Sequence, residues 1–187
     1  MRRNAKLLLL LCVLLSLPAT VTASTFIHMT PRQLIAESAA VVLGEVLTVN
    51  SYWDASGQII ETEALVRVHE TLIGDAGAVA VVRTWGGTVG GYTIEAHGFP
   101  EFQVGARVLL FLSDERNGAA QVVGYRLGQY RIGHDRTGAE VAIPTFEAAS
   151  AGLVAREGQA APPRPYRLEE FKTFLRAEAA RTARHAH

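Results

Sequence analysis

Thiols are almost missing from this chain: among 187 residues there is one cysteine, Cys12, in a stretch that reads as a leader. With Cys12 removed there is no disulfide framework, no thiolate nucleophile and no Cys-type zinc site, so the fold must rest on its apolar core alone. An excess of either charge is missing too, since 18 Lys and Arg face 18 Asp and Glu. That balance argues against nucleic acid as a partner, which would call for a basic stripe. Leu7 to Leu17, the one long apolar run, falls well short of the ~20 residues of a membrane span. Catalytic signatures are missing as well. Ser24, Ser38, Ser51, Ser56, Ser113 and Ser150 lie in neither Gly-x-Ser-x-Gly nor Ser-x-x-Lys, and there is no His-Glu-x-x-His.

What is present begins with Arg2, Arg3 and Lys6, the run Leu7 to Leu17, Pro18, and the small residues Ala19 to Ala23. A basic head, a short apolar middle and a Val-x-Ala ending describe a secretory signal peptide over residues 1–23, with cleavage expected after Ala23. Residues 1–23 hold three of the basic residues, which leaves 15 Lys and Arg against 18 Asp and Glu in a mildly acidic mature chain. Its expected destination is the periplasm or the exterior, with no membrane span after cleavage. The remaining length suits one domain.

Thr30-Pro31 reads as a helix start, with Thr30 as cap and Pro31 in the first turn, where its missing N–H costs nothing. Leu34 and Ile35 would face inward, and the helix should end near Ser38 or Ala39. A first strand is expected over Val41 to Thr48, bent at Gly44. Next comes the clearest alternation in the chain: Ile60, Thr62, Ala64, Val66 and Val68 on one face, Glu61, Glu63, Arg67 and His69 on the other. Period-two patterning of this kind marks a half-exposed antiparallel strand. Val79 to Trp85 reads as the following strand, with Tyr92 to His97 as its hairpin partner, and Val104 to Leu112 as a central strand. Shorter strands are expected at Gln121 to Tyr125, Tyr130 to Gly133 and Glu140 to Ile143. Together these predict a mainly β fold, a small antiparallel barrel or sandwich over residues 24–147 with a short N-terminal helix. An Ala/Gly/Pro-rich linker is expected over 148–166. In the helix and tail at 167–187, Leu168, Phe171, Phe174 and Leu175 recur at helical spacing, which predicts an amphipathic helix docked on the barrel.

Between the strands stands Trp85-Gly86-Gly87-Thr88-Val89-Gly90-Gly91-Tyr92. Freed backbone N–H groups there could wrap an anion, but the stretch lacks a Gly-Lys-Ser/Thr ending and a following helix, so it reads as an outward hairpin loop. Trp85, Gly86, Gly87, Gly90, Gly91 and Tyr92 form the candidate binding loop, because aromatics beside such a loop are common contact residues. Glu95 and His97, two apart on one strand face, together with His69 and Glu63, are the candidates for a metal cluster if their strands pair in a suitable register.

The order of helix, apolar strand, Ser-Tyr-Trp-Asp turn, Glu-Thr-Glu-Ala-Leu-Val-Arg-Val, Trp-Gly-Gly-Thr-Val-Gly-Gly, Gly-Phe-Pro-Glu-Phe-Gln-Val-Gly and Val-Leu-Leu-Phe-Leu spans Thr30 to Gly133. It resembles a group of uncharacterised bacterial exported proteins, and more distantly is similar to the OB-fold barrel of netrin-like modules and tissue inhibitors of metalloproteinases. The resemblance implies an OB-like barrel and a binding module, associated with or inhibiting a secreted metalloprotease. Tissue inhibitors chelate zinc through an N-terminal cysteine; here the expected mature terminus is Ser24, which offers an α-amine and a carbonyl. Three functions follow as expectations. The first is an exported, non-catalytic protein-binding module without a cofactor, whose partner is a secreted protease or another envelope protein. The second is a metal-dependent hydrolase using His69, Glu95 and His97. The third is an envelope structural protein paired through its terminal helix.

Overall fold

The computed structural model describes residues 29–146 and 164–185. The expected signal peptide and most of the expected linker lie outside these residues. Helix α1, Pro31–Glu37, starts as its sequence dictates. The Thr30 hydroxyl accepts from the Gln33 N–H, and Gln33 Oε1 accepts from the Thr30 N–H at 2.8 Å, a reciprocal capping box with Pro31 in the first turn. Leu34 and Ile35 are buried, and the helix stops at Ser38, where the β-branched run takes over.

Strands β1 (Ala40–Trp53), β2 (Ile60–Ile73) and β3 (Val79–Trp85) form an antiparallel meander. In β2 the alternation holds: Ile60, Thr62, Ala64 and Val66 are buried, while the carboxylates of Glu61 and Glu63 point to the other face. β1 runs five residues beyond the expected end at Thr48 and pairs with β2 as far as Trp53 opposite Ile60. It bends where expected. A Cβ on Gly44 would lie 2.4 Å from the Arg67 carbonyl, and the register shifts between Leu43 and Gly44.

The stretch after β3 differs from expectation. Tyr92 to His97 does not pair back on β3; instead β4 (Gly87–Val89) and β5 (Tyr92–Ile94) make a hairpin of their own. Gly90 and Gly91 take φ of 57° and 85°, the left-handed values that a two-residue hairpin turn demands, so the chain reverses inside the glycine stretch. β6 (Arg107–Leu112) is central, flanked by β1 and by β7 (Gln129–His134). β8 (Glu140–Pro144) and the two-residue β9 (Tyr166–Arg167), at the expected end of the linker, complete a sheet in the order β3-β2-β1-β6-β7-β8-β9. The fold is thus mainly β, and no ladder closes this sheet among the described residues.

The segment expected as a strand at Gln121 to Tyr125 is not one. Its one bridge is Val122 with Leu112 (antiparallel), preceded by a bridge of Ala120 with Val82 (parallel), before Gly124 and Tyr125 turn to positive φ and enter a 3-10 turn, Tyr125–Gly128. The Ala120 N–H donates to the Val81 carbonyl at 2.8 Å, and the Ala120 carbonyl accepts from the Arg83 N–H at 2.9 Å.

Two apolar layers follow from strand alternation. On one face Val42, Val46, Ala64, Val66, Val82, Leu110 and Val122 pack together between β1, β2, β3, β6 and the 119–123 segment. On the other, Val41, Leu109, Phe111 and Tyr130 meet Leu34 and Ile35 of α1 and Leu168, Phe171 and Leu175 of α2, Leu168–His185. The amphipathic C-terminal helix therefore docks on the sheet. Lys172 of α2 ion-pairs with Glu70 of β2 and with Glu169, both at 2.8 Å. Partial burial pushes the Glu70 carboxyl up, but its bonds to Lys172 and Arg176 outweigh this and hold it below the usual carboxylate range.

Candidate functional site

The β4–β5 hairpin stands over one end of the β1–β3 meander and encloses a cavity of about 550 Å³ with the segment 95–103. Its floor is polar, and Ser51, Thr62 and Thr84 line it. Thr62 and Thr84 are both more than nine-tenths buried, the only polar residues so buried on their strands. Buried hydroxyls require partners. Thr62 Oγ1 donates to the Gly86 carbonyl at 2.5 Å, Ser51 Oγ lies 2.7 Å from Thr62 Oγ1, and Thr84 Oγ1 donates to the Pro100 carbonyl at 3.3 Å. These bonds tie the hairpin and the 95–103 segment to the ends of the strands. Gly87 is pinned against the floor: a Cβ there would lie 2.4 Å from both Ser51 Oγ and Thr62 Oγ1.

The 95–103 wall is held from behind by the 3-10 turn. Arg126 donates from Nε to the Phe99 carbonyl at 3.1 Å and pairs with Glu101, while its backbone N–H donates to the Gly98 carbonyl at 3.0 Å. Buried Gln129 donates to the Glu101 carbonyl at 2.7 Å and is itself fixed by the Thr145 hydroxyl. A second cavity of about 680 Å³, lined by Met29, Val123, Tyr125 and Phe146 among others, shares Gly98 and Arg126 with the first.

Aromatic rings crown this end of the molecule. Trp85 stacks on Phe99 with centroids 5.1 Å apart and planes at 17°, Phe99 meets Tyr125 edge-on at 4.7 Å, and Trp53 meets Tyr92 edge-on at 6.2 Å. Despite these contacts Trp85, Tyr92 and Tyr125 keep 47%, 69% and 55% of their surface in solvent. Tyr125 is in addition a bulky residue at φ 55°, a conformation whose strain marks special positions. Next to the rings, Asp54 closes the β1–β2 turn. The Ser56 hydroxyl and the N–H groups of Ile59 and Gln58 bond its carboxylate and lower its pKa to about 2. On the outer face Arg83 lies 3.8 Å from Glu61 and 3.3 Å from Glu63, and partial burial raises the neighbouring Tyr52 hydroxyl in spite of the Arg83 charge.

The expected loop residues divide into two groups. Trp85, Gly86 and Gly87 line the cavity, whereas Gly90, Gly91 and Tyr92 form the outward tip. Glu95 and His97 also line it. His69 does not join them: it sits seven residues along β2 from Thr62, roughly 23 Å away at strand rise, beside Glu45 at 3.8 Å. The expected His69, Glu95, His97 and Glu63 cluster is therefore not assembled: Glu95 and His97 follow β5 outside any strand, and β5 pairs with β4 and not with β2. Among the described residues no three His, Cys, Asp or Glu side chains gather as metal ligands.

Sequence reasoning missed Thr62, Thr84, Phe99, Tyr125 and Arg126. Thr62 stands on the apolar face of its alternating strand, and its polarity there is the available clue; Thr84 lies in a strand whose faces the sequence does not separate. Nothing in the sequence tied Arg126 to Gly98 and Phe99. No protein-family model matches this chain, and no curated protein matches it significantly.

Proposed function

We propose that this is an exported, non-catalytic protein-binding module that meets its partner through the aromatic rim at the β4–β5 end. One observation carries the reading: Trp85, Tyr92 and Tyr125 stay about half exposed or more while their ring contacts and hydrogen-bonded supports hold them in place. Monomers rarely keep rigid aromatics in water without use, since such rings are the residues that dominate interface energetics. The partner is a secreted metalloprotease or another envelope protein, as the resemblance to netrin-like modules implies. The finer architecture belongs to the same proposal. The 119–123 segment, bridging β3 on one side and β6 on the other, completes an OB-like barrel around the Val42, Ala64, Val82 and Leu110 layer, with α1 and α2 packed outside.

The test is partner capture from the exported fraction by the chain from Ser24 onward, run beside a Trp85→Ala/Tyr92→Ala variant. The proposal expects a defined protein retained by the first and lost by the second. Equal recovery by both would remove the rim from the interface.

A further inference from the structure

The hydroxyls on the cavity floor have spent their protons inside the protein. Thr62 donates to the Gly86 carbonyl, so Ser51 must be the donor in the 2.7 Å Ser51–Thr62 contact, and Thr84 donates to the Pro100 carbonyl. What these oxygens still offer the cavity is lone pairs. The walls have the same bias. Glu95 has no hydrogen bond or ion pair among the described residues, and Glu101, though paired with Arg126, is 82% exposed at its side chain. Arg126 is committed to Glu101 and the Phe99 carbonyl. Free side-chain donors on the lining are few: the Trp85 indole, His97, the Gln103 amide and one hydroxyl of the Thr88–Thr93 pair. An anion placed here would face two carboxylates and few donors. A cation rich in N–H groups would find acceptors on the floor and negative charge on the wall.

The remaining wall is aromatic, the stacked Trp85 and Phe99 rings. From this combination we infer that the cavity receives the guanidinium of an arginine side chain presented by the protein partner. A guanidinium has five donors in a planar fork and lies flat against aromatic rings; an ammonium satisfies the charge but is compact, strongly hydrated and without a plane to stack. The inference rests on the binding surface proposed above and adds the chemistry of what enters it.

The probes are N-acetylarginine methylamide, its lysine counterpart and its citrulline counterpart, which keeps the shape of arginine without the charge. Each is titrated into the chain from Ser24 onward, with tryptophan fluorescence as readout. Saturable binding of the arginine probe is expected, with the lysine probe weaker by about threefold and the citrulline probe weaker by at least about tenfold. Glu95→Gln, at an exposed side chain without a partner, should weaken arginine binding about fivefold and leave the melting temperature unchanged. Citrulline binding as tightly as arginine, an unchanged affinity in Glu95→Gln, or no saturation up to roughly 50 mM would each overturn the inference. Lysine equal to arginine would overturn the choice of guanidinium. Loss of partner capture by Trp85→Ala/Tyr92→Ala without arginine binding would leave the surface standing and sink this inference alone.

Discussion

Gly87 and Gly90 lie three residues apart in one glycine-rich stretch, yet the structure uses them differently. Gly87, at φ 134°, lets the backbone press onto the Ser51 and Thr62 hydroxyls, whereas Gly90, at φ 57°, has open space where a Cβ would go. Gly87→Ala should therefore combine backbone strain with a clash against a hydrogen-bonded floor and cost roughly 2–4 kcal/mol. Gly90→Ala meets only the left-handed penalty and should cost about 1 kcal/mol. Urea denaturation of both variants checks the order, and equal losses would mean that the hairpin does not rest on the floor. The sequence marked the glycines but not this division, since local φ preferences say nothing of what lies beneath a residue. Tyr125 is illegible for the same reason: its positive φ goes with the Arg126 bonds to Gly98 and Phe99, which are contacts distant in sequence.

Elements were read best where a local rule decided them. The Thr30-Pro31 start of α1, the alternation of β2 and the helical spacing of Leu168, Phe171 and Leu175 all appear in the structure, because capping and periodicity are properties of neighbouring residues. Pairing was read less well. The sequence reads Tyr92 to His97 as the hairpin partner of β3 across the whole glycine stretch, but the tighter turn at Gly90-Gly91 gives β5 a nearer partner in β4. Docking of α2 makes it part of the core rather than an appendage. Leu175 is fully buried, so Leu175→Ala should cost about 2–5 kcal/mol. The exposed control Glu170→Ala should stay under about 1 kcal/mol. Thermal or urea unfolding of the two decides; similar small losses would show that the helix is dispensable to the fold.

At the scale of the whole molecule, the question is whether β3 is a free edge. A free edge exchanges its outward amides quickly and offers itself to other chains. The 119–123 segment covers this one at its middle: the Arg83 N–H donates to the Ala120 carbonyl at 2.9 Å and the Ala120 N–H to the Val81 carbonyl at 2.8 Å. Native-state hydrogen exchange should then find both amides protected to nearly the level of Leu109 and Leu110 in central β6. Fast exchange at Arg83 and Ala120 would mean an open sheet and would remove the support for an OB-like closure. Single bridges of this kind leave no periodic mark, which is why the sequence suggested a regular strand at Gln121 to Tyr125 instead.

The central claim is that the aromatic rim serves contact and not the core, and the most direct test measures stability and capture on one variant. Trp85→Ala/Tyr92→Ala should unfold cooperatively with a loss below about 2 kcal/mol while failing to retain the partner that the unaltered chain holds. A variant that captures the partner undiminished but has lost most of its stability would contradict the account, because Trp85 and Tyr92 would then be part of what holds the fold together.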